Sequence, residues 1–247
     1  MKRRILSFTG AGIFLLAIWQ VASMLLAKTL LPSPVTVFQA IPDLVQRDLF
    51  HHLGASLWRI TLGMVLAVLL GFLLGLLIAS LPRWKNFFDP LVYLTYPIPK
   101  MALLPIVMLL GGLGDLSKVI MIVLIVTPQV LVAVRDAIEE IPEHYYDVYR
   151  VIGASSWQRF GKITFPATLP AIFSTSRVSL GTAISILFFT ENYGTEFGMG
   201  YFIMDAWMRM DYPAMYAAIL ILSLLGLVLF VALDLLAKAV MPWRKSA

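Results

Sequence analysis

Apolar residues gather into six long runs, at about 8–27, 57–80, 91–113, 117–134, 169–190 and 213–237. A bilayer core about 30 Å thick is crossed by about 20 apolar residues in a helix, so six spans would occupy roughly half of this chain. The pattern predicts an all-α membrane protein with six transmembrane helices. The basic start Met1–Arg4 followed by an apolar run is similar to a signal peptide. The run from Phe8 to Ala27 is nevertheless long enough to span, and no small-residue cleavage site follows it, which predicts a retained first helix. Element ends read in this way carry an error of a few residues.

Composition removes the soluble alternatives. Of 247 residues, 60% are hydrophobic and 13% charged, and the mean hydropathy is +0.87. Soluble domains carry about 45–50% apolar and about 25% charged residues. The excess leaves too little polar surface to cover a water-soluble core, which excludes a soluble enzyme, a disordered tail and a disulfide scaffold. With no cysteine there is no thiolate metal site and no Cys nucleophile. His51, His52 and His144 lack the spacing of a metal site, and no nucleophile–base constellation appears, so neither catalytic nor metal residues are predicted.

The net charge of +5 is a topological signal rather than a nucleic-acid one. With the N-terminus in the cytoplasm, segments 1–7, 81–90, 135–168 and 238–247 hold twelve basic residues: Lys2, Arg3, Arg4, Arg83, Lys85, Arg135, Arg150, Arg159, Lys162, Lys238, Arg244 and Lys245. The outer segments hold four, Lys28, Arg47, Lys118 and Arg209. Twelve against four places both termini in the cytoplasm. The layout expected is a first helix with an outer amphipathic segment (1–56), a transmembrane core (57–240) containing the loop 135–168, and a cytoplasmic tail (241–247).

The loop 135–168 is too patterned for a simple connector. Pro142 suits the first turn of a helix, and Tyr145, Val148, Tyr149 and Ile152 recur at helical spacing. Gly153 suits the left-handed position that ends a helix, and Ser155-Ser156-Trp157-Gln158 reads as a capping box. Trp157 and Phe160 give a second apolar face, and Pro166 and Pro170 close the segment. Two short helices joined by a glycine turn are predicted. They are either an amphipathic pair that anchors the loop to the inner surface or a docking knob for a cytoplasmic partner.

Asp147-Val148-Tyr149, Gly153 and Ile163-Thr164-Phe165-Pro166 resemble the Glu-Ala-Ala loop of ABC-transporter permeases, whose order is Glu-Ala-Ala, three residues, Gly, nine residues, Ile, one residue, Leu-Pro. Every anchor is at the matching spacing, with the triplet changed and Phe165 in place of Leu. Further blocks are similar to the nitrate/sulfonate/taurine-type permeases: Leu31-Pro32-Ser33-Pro34 with Val37; His52-Leu53 and Ser56-Leu57-Trp58-Arg59; Gly63, Gly71 and Gly75; Pro97 through Pro105 with Gly114 and Lys118; Arg177-Val178-Ser179-Leu180-Gly181; and Thr190-Glu191 with Gly198-Met199-Gly200-Tyr201. The resemblance implies a type I importer (MetI-like) fold with a cytoplasmic coupling helix. It also implies a homodimeric pore in a bacterial inner membrane, two ATP-binding subunits and a periplasmic or lipid-anchored solute-binding protein. On that reading Asp147, Tyr149, Gly153, Trp157, Ile163 and Pro166 serve ATPase coupling. The chain has no Gly-x-x-x-x-Gly-Lys-[Ser/Thr] loop, so ATP and Mg are expected in the partner subunit, with no cofactor bound here.

Several features inside the spans admit two readings. Pro97, Pro99 and Pro105 either break a helix along the translocation path or precede a helix that starts near Lys100. Lys100 marks the inner end of that helix or meets substrate charge. Arg59 is read as snorkelling to the outer face. Arg177 lies deeper, as a pathway cation or a partner of an interior ion, and Asp234 with Lys238 forms an i,i+4 pair. Glu191, with the segment that contains Gly198 and Gly200, is part of an outer gate or a surface acid at a helix end. The glycines Gly63, Gly71 and Gly75 permit close helix approach. A stand-alone secondary transporter of a small anion or metabolite, and a membrane enzyme or scaffold, remain the competing functions.

Overall fold

A computed structural model describes residues 2–26, 30–80, 87–88, 90–91, 94–95 and 97–244, with backbone alone for residues 2–9 and 11. Of the basic residues used for orientation, Lys28, Arg83, Lys85 and Lys245 lie outside the described residues. The described elements are helical: α1 (Lys2–Leu25), α2 (Pro34–Gln46), α3 (Leu49–Ser80), α4 (Leu104–Gly111), α5 (Asp115–Glu139), α6 (Glu143–Val151), α7 (Ser156–Arg159), α8 (Phe165–Glu191), α9 (Met199–Met208) and α10 (Tyr212–Val240). A 3-10 turn, Lys100–Leu103, leads into α4, and a π turn, Phe160–Thr164, joins α7 to α8. Among the described residues four helices are long and apolar enough to cross a membrane: α3, α5, the continuous stretch Ser156–Glu191, and α10. Shorter apolar helices cover Gly12–Leu25 and Lys100–Gly111, so each of the six apolar runs holds one.

The chain forms two compact units, one of Met1–Ala55 with Glu196–Leu224, the other of Ser56–Thr195 with Leu225–Ala247. In the first, Ser33 caps α2 by accepting from the Thr36 amide at 3.3 Å, and Pro34 sits where no amide donor is lost. Val37 and Leu44 are fully buried from one face of α2. The Trp19 indole donates to the Pro32 carbonyl at 3.1 Å, and Arg47 pairs with Asp211 at 2.8 Å.

The second unit is organised around α5, whose Met121, Ile122, Val126, Val130 and Val134 are fully buried. Gly63, Ala67, Gly71 and Gly75 recur every four residues on α3 and form a stripe of small residues facing it. A Cβ added at Gly71 would come within 2.7 Å of Val130, and one at Gly75 within 2.7 Å of the Leu131 carbonyl. The stripe lets two backbones approach where lipid supplies no hydrophobic drive. On the other side α5 packs along α8, where Ser179 donates to Gln129 at 2.8 Å.

The third apolar run does not fold as one helix. Pro97 and Pro99 lie in non-helical backbone before Lys100, and Pro105 stands in the first turn of α4. There a proline removes no intrahelical bond. The prolines therefore precede the helix instead of breaking it.

Candidate functional site: a capped elbow and a buried ion cluster

The segment after α5 folds into a tight elbow, and each bend has a local cause. Gly153 has φ +75°, a left-handed conformation that costs any residue with a Cβ. Its amide donates to the Arg150 carbonyl at 3.0 Å, and that of Ala154 to Tyr149 at 2.9 Å. Together these bonds are the Schellman closure of α6. One residue later Ser155 Oγ accepts from the Gln158 amide at 3.3 Å, and the Gln158 side chain accepts from the Ser155 amide at 2.7 Å. This reciprocal pair starts α7.

The second short helix is not a separate element. Ser156–Glu191 runs on as one 36-residue helix, so Pro166 and Pro170 do not close the segment as the sequence predicts. Pro166 is tolerated because the turn before it is a π turn. The widened turn relieves the clash an α-helical proline makes with the carbonyl four residues back.

The elbow is held from below and bare above. Tyr146 and Thr164 share a hydrogen bond of 3.0 Å between their hydroxyl groups. Trp157 stacks on Phe160 at 5.3 Å, which continues to Phe165 and Phe72 at 6.0 and 6.5 Å. Ile163 is buried. Tyr145, Val148, Val151, Ile152 and Trp157 are exposed, Val151 by 87% and Trp157 by 79%. A cleft of about 490 Å³ beside them is lined by Ile141, Pro142, Tyr145, Tyr149, Lys162 and Ile163, among others. Asp147 pairs with Arg150 at 2.8 Å on the exposed face of α6.

At the far end of the same helix Arg59, Asp115, Lys118 and Glu191 form one cluster rather than separate features. Arg59 on α3 is 4% exposed and does not snorkel. Its guanidinium meets Glu191, the last residue of α8, at 2.6 Å and Asp115, the first of α5, at 2.6 Å. Ser56 donates to both Glu191 carboxylate oxygens at 2.8 and 2.9 Å. Glu191 is 1% exposed, so it is not a surface acid. Lys118, fully buried, donates to the Leu113 carbonyl and, at 3.0 Å, to that of Tyr193. The two buried cations are balanced by the buried Glu191 carboxylate and by that of Asp115, which is 53% exposed.

The remaining candidates stand apart from both sites. Arg177 Nε donates to Asp234 at 2.9 Å, joining α8 to α10, so Asp234 reaches across to another helix, and both side chains are about half exposed rather than interior. Gly198, φ +135°, opens α9, and its amide donates to buried His52 at 3.1 Å. Gly200 is buried in the first turn of α9. Among the described residues no group of three or more His, Cys, Asp or Glu is placed to hold a metal ion.

Residues 67–242, which contain the elbow, match the family model described as the binding-protein-dependent transport system inner membrane component. The chain belongs to that family. It is 32% identical over 235 residues to the formylaminopyrimidine transport permease ThiX of Halalkalibacterium halodurans, covering 95% of this chain and 94% of that one. It is equally, 32%, identical to the putative aliphatic sulfonates transport permease SsuC of Bacillus subtilis, over 94% and 85% of the two chains. The taurine transport system permease TauC of Escherichia coli is 26% identical over 97% and 90%. In fold, the chain is similar to a bacterial ABC transporter solved for alginate import, with TM-score 0.64 at 18% identity over 96% of both chains. This permease is accordingly a MetI-type, all-helical inner-membrane component of an ABC importer, a transport protein rather than an enzyme. The relatives support that reading over a stand-alone secondary transporter.

Proposed function

We propose that this permease forms, as a homodimer, the translocation path of an importer for a small solute of the nitrate/sulfonate/taurine class. Two ATP-binding subunits that use ATP and Mg dock on the elbow, and a periplasmic or lipid-anchored binding protein delivers the solute. Both termini face the cytoplasm, as does the elbow. One observation carries this reading: a rigidly capped bend presents bare apolar side chains and continues directly into a 36-residue helix. Apolar side chains held clear of the fold in this way fit a protein groove. At about 1.5 Å per residue the helix is about 54 Å long, enough to carry a displacement of the elbow across the bilayer. ATP shifts the equilibrium between inward-open and outward-open states by binding one of them more tightly.

Within this scheme Gly153 sets the angle of the bend, Tyr149 and Trp157 enter the groove, Asp147 exchanges Arg150 for a basic group of the partner, and Ile163 and Pro166 seat the elbow on the helix. Pro97, Pro99, Pro105 and Arg177 belong to the wall of the path, and Gly198 and Gly200 to its outer gate. The substrate class rests on the sulfonate and taurine permeases among the relatives. Uptake of taurine or an alkanesulfonate into proteoliposomes containing the assembled transporter tests the reading. Uptake should require ATP and binding protein, and should vanish with Asp147→Arg plus Gly153→Val while membrane insertion persists. Uptake driven by an ion gradient without ATP would refute it.

A further inference from the structure

We infer that Arg59 is a positioning residue: with Lys118 it clamps the far end of the long helix to α3 and α5, so that these three helices move as one body when the elbow is displaced. The inference rests on the coupling role proposed for the elbow but is read at the opposite end of the helix. Glu191 is the last residue of α8, and it is gripped by Ser56 and Arg59 of α3. Arg59 also holds the first residue of α5 through Nε at 2.8 Å and through its terminal nitrogen. One guanidinium therefore ties three helix positions, which its planar, multi-donor shape permits and a lysine ammonium does not.

Lys118 makes a second tie a turn further along α5. Its ammonium joins the Leu113 carbonyl before that helix to the Tyr193 carbonyl just past α8. The two loops also interlock, since Gly194 has φ +66° and a Cβ there would lie 2.7 Å from the Leu113 side chain. A gate must open. Here the carboxylate is 1% exposed, and Ser56 and Arg59, which grip it, belong to the same compact unit. Buried ion pairs add little net stability compared with apolar packing but fix one arrangement over others, and fixing an arrangement is what a helix carrying displacement needs.

The test uses the cysteine-free chain with spin labels at Phe189→Cys on α8 and Leu77→Cys, about 27 Å along α3 from Arg59. Both positions are exposed. In the purified permease the label-to-label distance should be narrow. Arg59→Met with Glu191→Met, which removes both charges and strands neither, should widen the distribution about twofold. A distribution as narrow as that of the unaltered protein overturns the inference. Should the double variant fail to fold, Arg59→Lys decides by the same width, because lysine keeps the charge but cannot tie both carboxylates. In the transporter assembled with ATP-binding subunits, the unaltered distance should stay constant on adding ATP, and a shift of several ångström would make the cluster a gate and overturn the clamp. The width needs no partner subunit, so failure of the elbow to retain an ATPase would be seen separately by copurification.

Discussion

The elbow and the ion cluster sit at the two ends of one helix and are built by opposite means. The two bends of the elbow are closed by bonds between residues three to five apart, and its apolar side chains are left bare. The cluster is centred on Arg59 and Glu191, 132 residues apart along the chain and almost wholly buried. A surface that must meet a partner can take its shape chiefly from local backbone geometry. A junction that must keep helices in register needs long-range pairing, which exists only once the fold is complete. The two ends should therefore respond to mutation in different ways: the cluster through stability, the elbow through coupling.

The largest effect is expected at the cluster. Arg59→Met alone strands the Glu191 carboxylate away from water and should cost about 3–5 kcal/mol, read as loss of folded protein or a much lower Tm in detergent. Adding Glu191→Met should recover most of that loss. If the single variant were as stable as the unaltered protein, the pairing would be unimportant. Next is the α3–α5 contact, where Gly75→Val would press a side chain against the Leu131 carbonyl. Overpacking there should cost about 1–3 kcal/mol, measured as the same shift in Tm, while Gly54→Val, where nothing lies within 4 Å, should change little.

Effects at the elbow should be smaller in stability and larger in transport. Gly153 has open space around it, so Gly153→Val pays only the left-handed backbone penalty of about 1–2 kcal/mol. Gly153→Asn, tolerated at such positions, should keep most uptake, and this contrast separates backbone shape from side-chain bulk. Ser155→Ala should cost about 1 kcal/mol by removing the cap. Smallest is Asp147→Ala: the pair with Arg150 is exposed on both sides and worth at most about 1 kcal/mol. Uptake falling well beyond that change would place the carboxylate against a partner.

What could be read from the chain follows the same division. Gly153, Ser155 and Gln158 announce their bonds because each partner lies within a few residues, and the stripe from Gly63 to Gly75 announces close packing by its period. The orientation of Tyr146, which anchors the elbow while Tyr145 stays exposed, was not readable, since helical spacing alone does not say which face is covered. Arg59 looked like a snorkelling cation for a related reason: its sequence neighbours are apolar, and both of its carboxylates come from other helices. Ser56, three residues before Arg59 on one helical face, and Asp115, three residues before Lys118, were the available signals of an inward polar patch. Pro166 misled because proline usually ends a helix, and only the π turn before it shows how the helix continues.

The central claim, that nucleotide-driven motion enters through the elbow, is tested most directly by crosslinking. The chain contains no cysteine, so Trp157→Cys and Leu227→Cys each place a single thiol, both at exposed positions. In membranes carrying the whole transporter, a bifunctional thiol reagent should join Trp157→Cys to an ATP-binding subunit and leave Leu227→Cys, on α10, unjoined. Active transport with Trp157→Cys accessible only to lipid, or only from the outer face, would contradict the account.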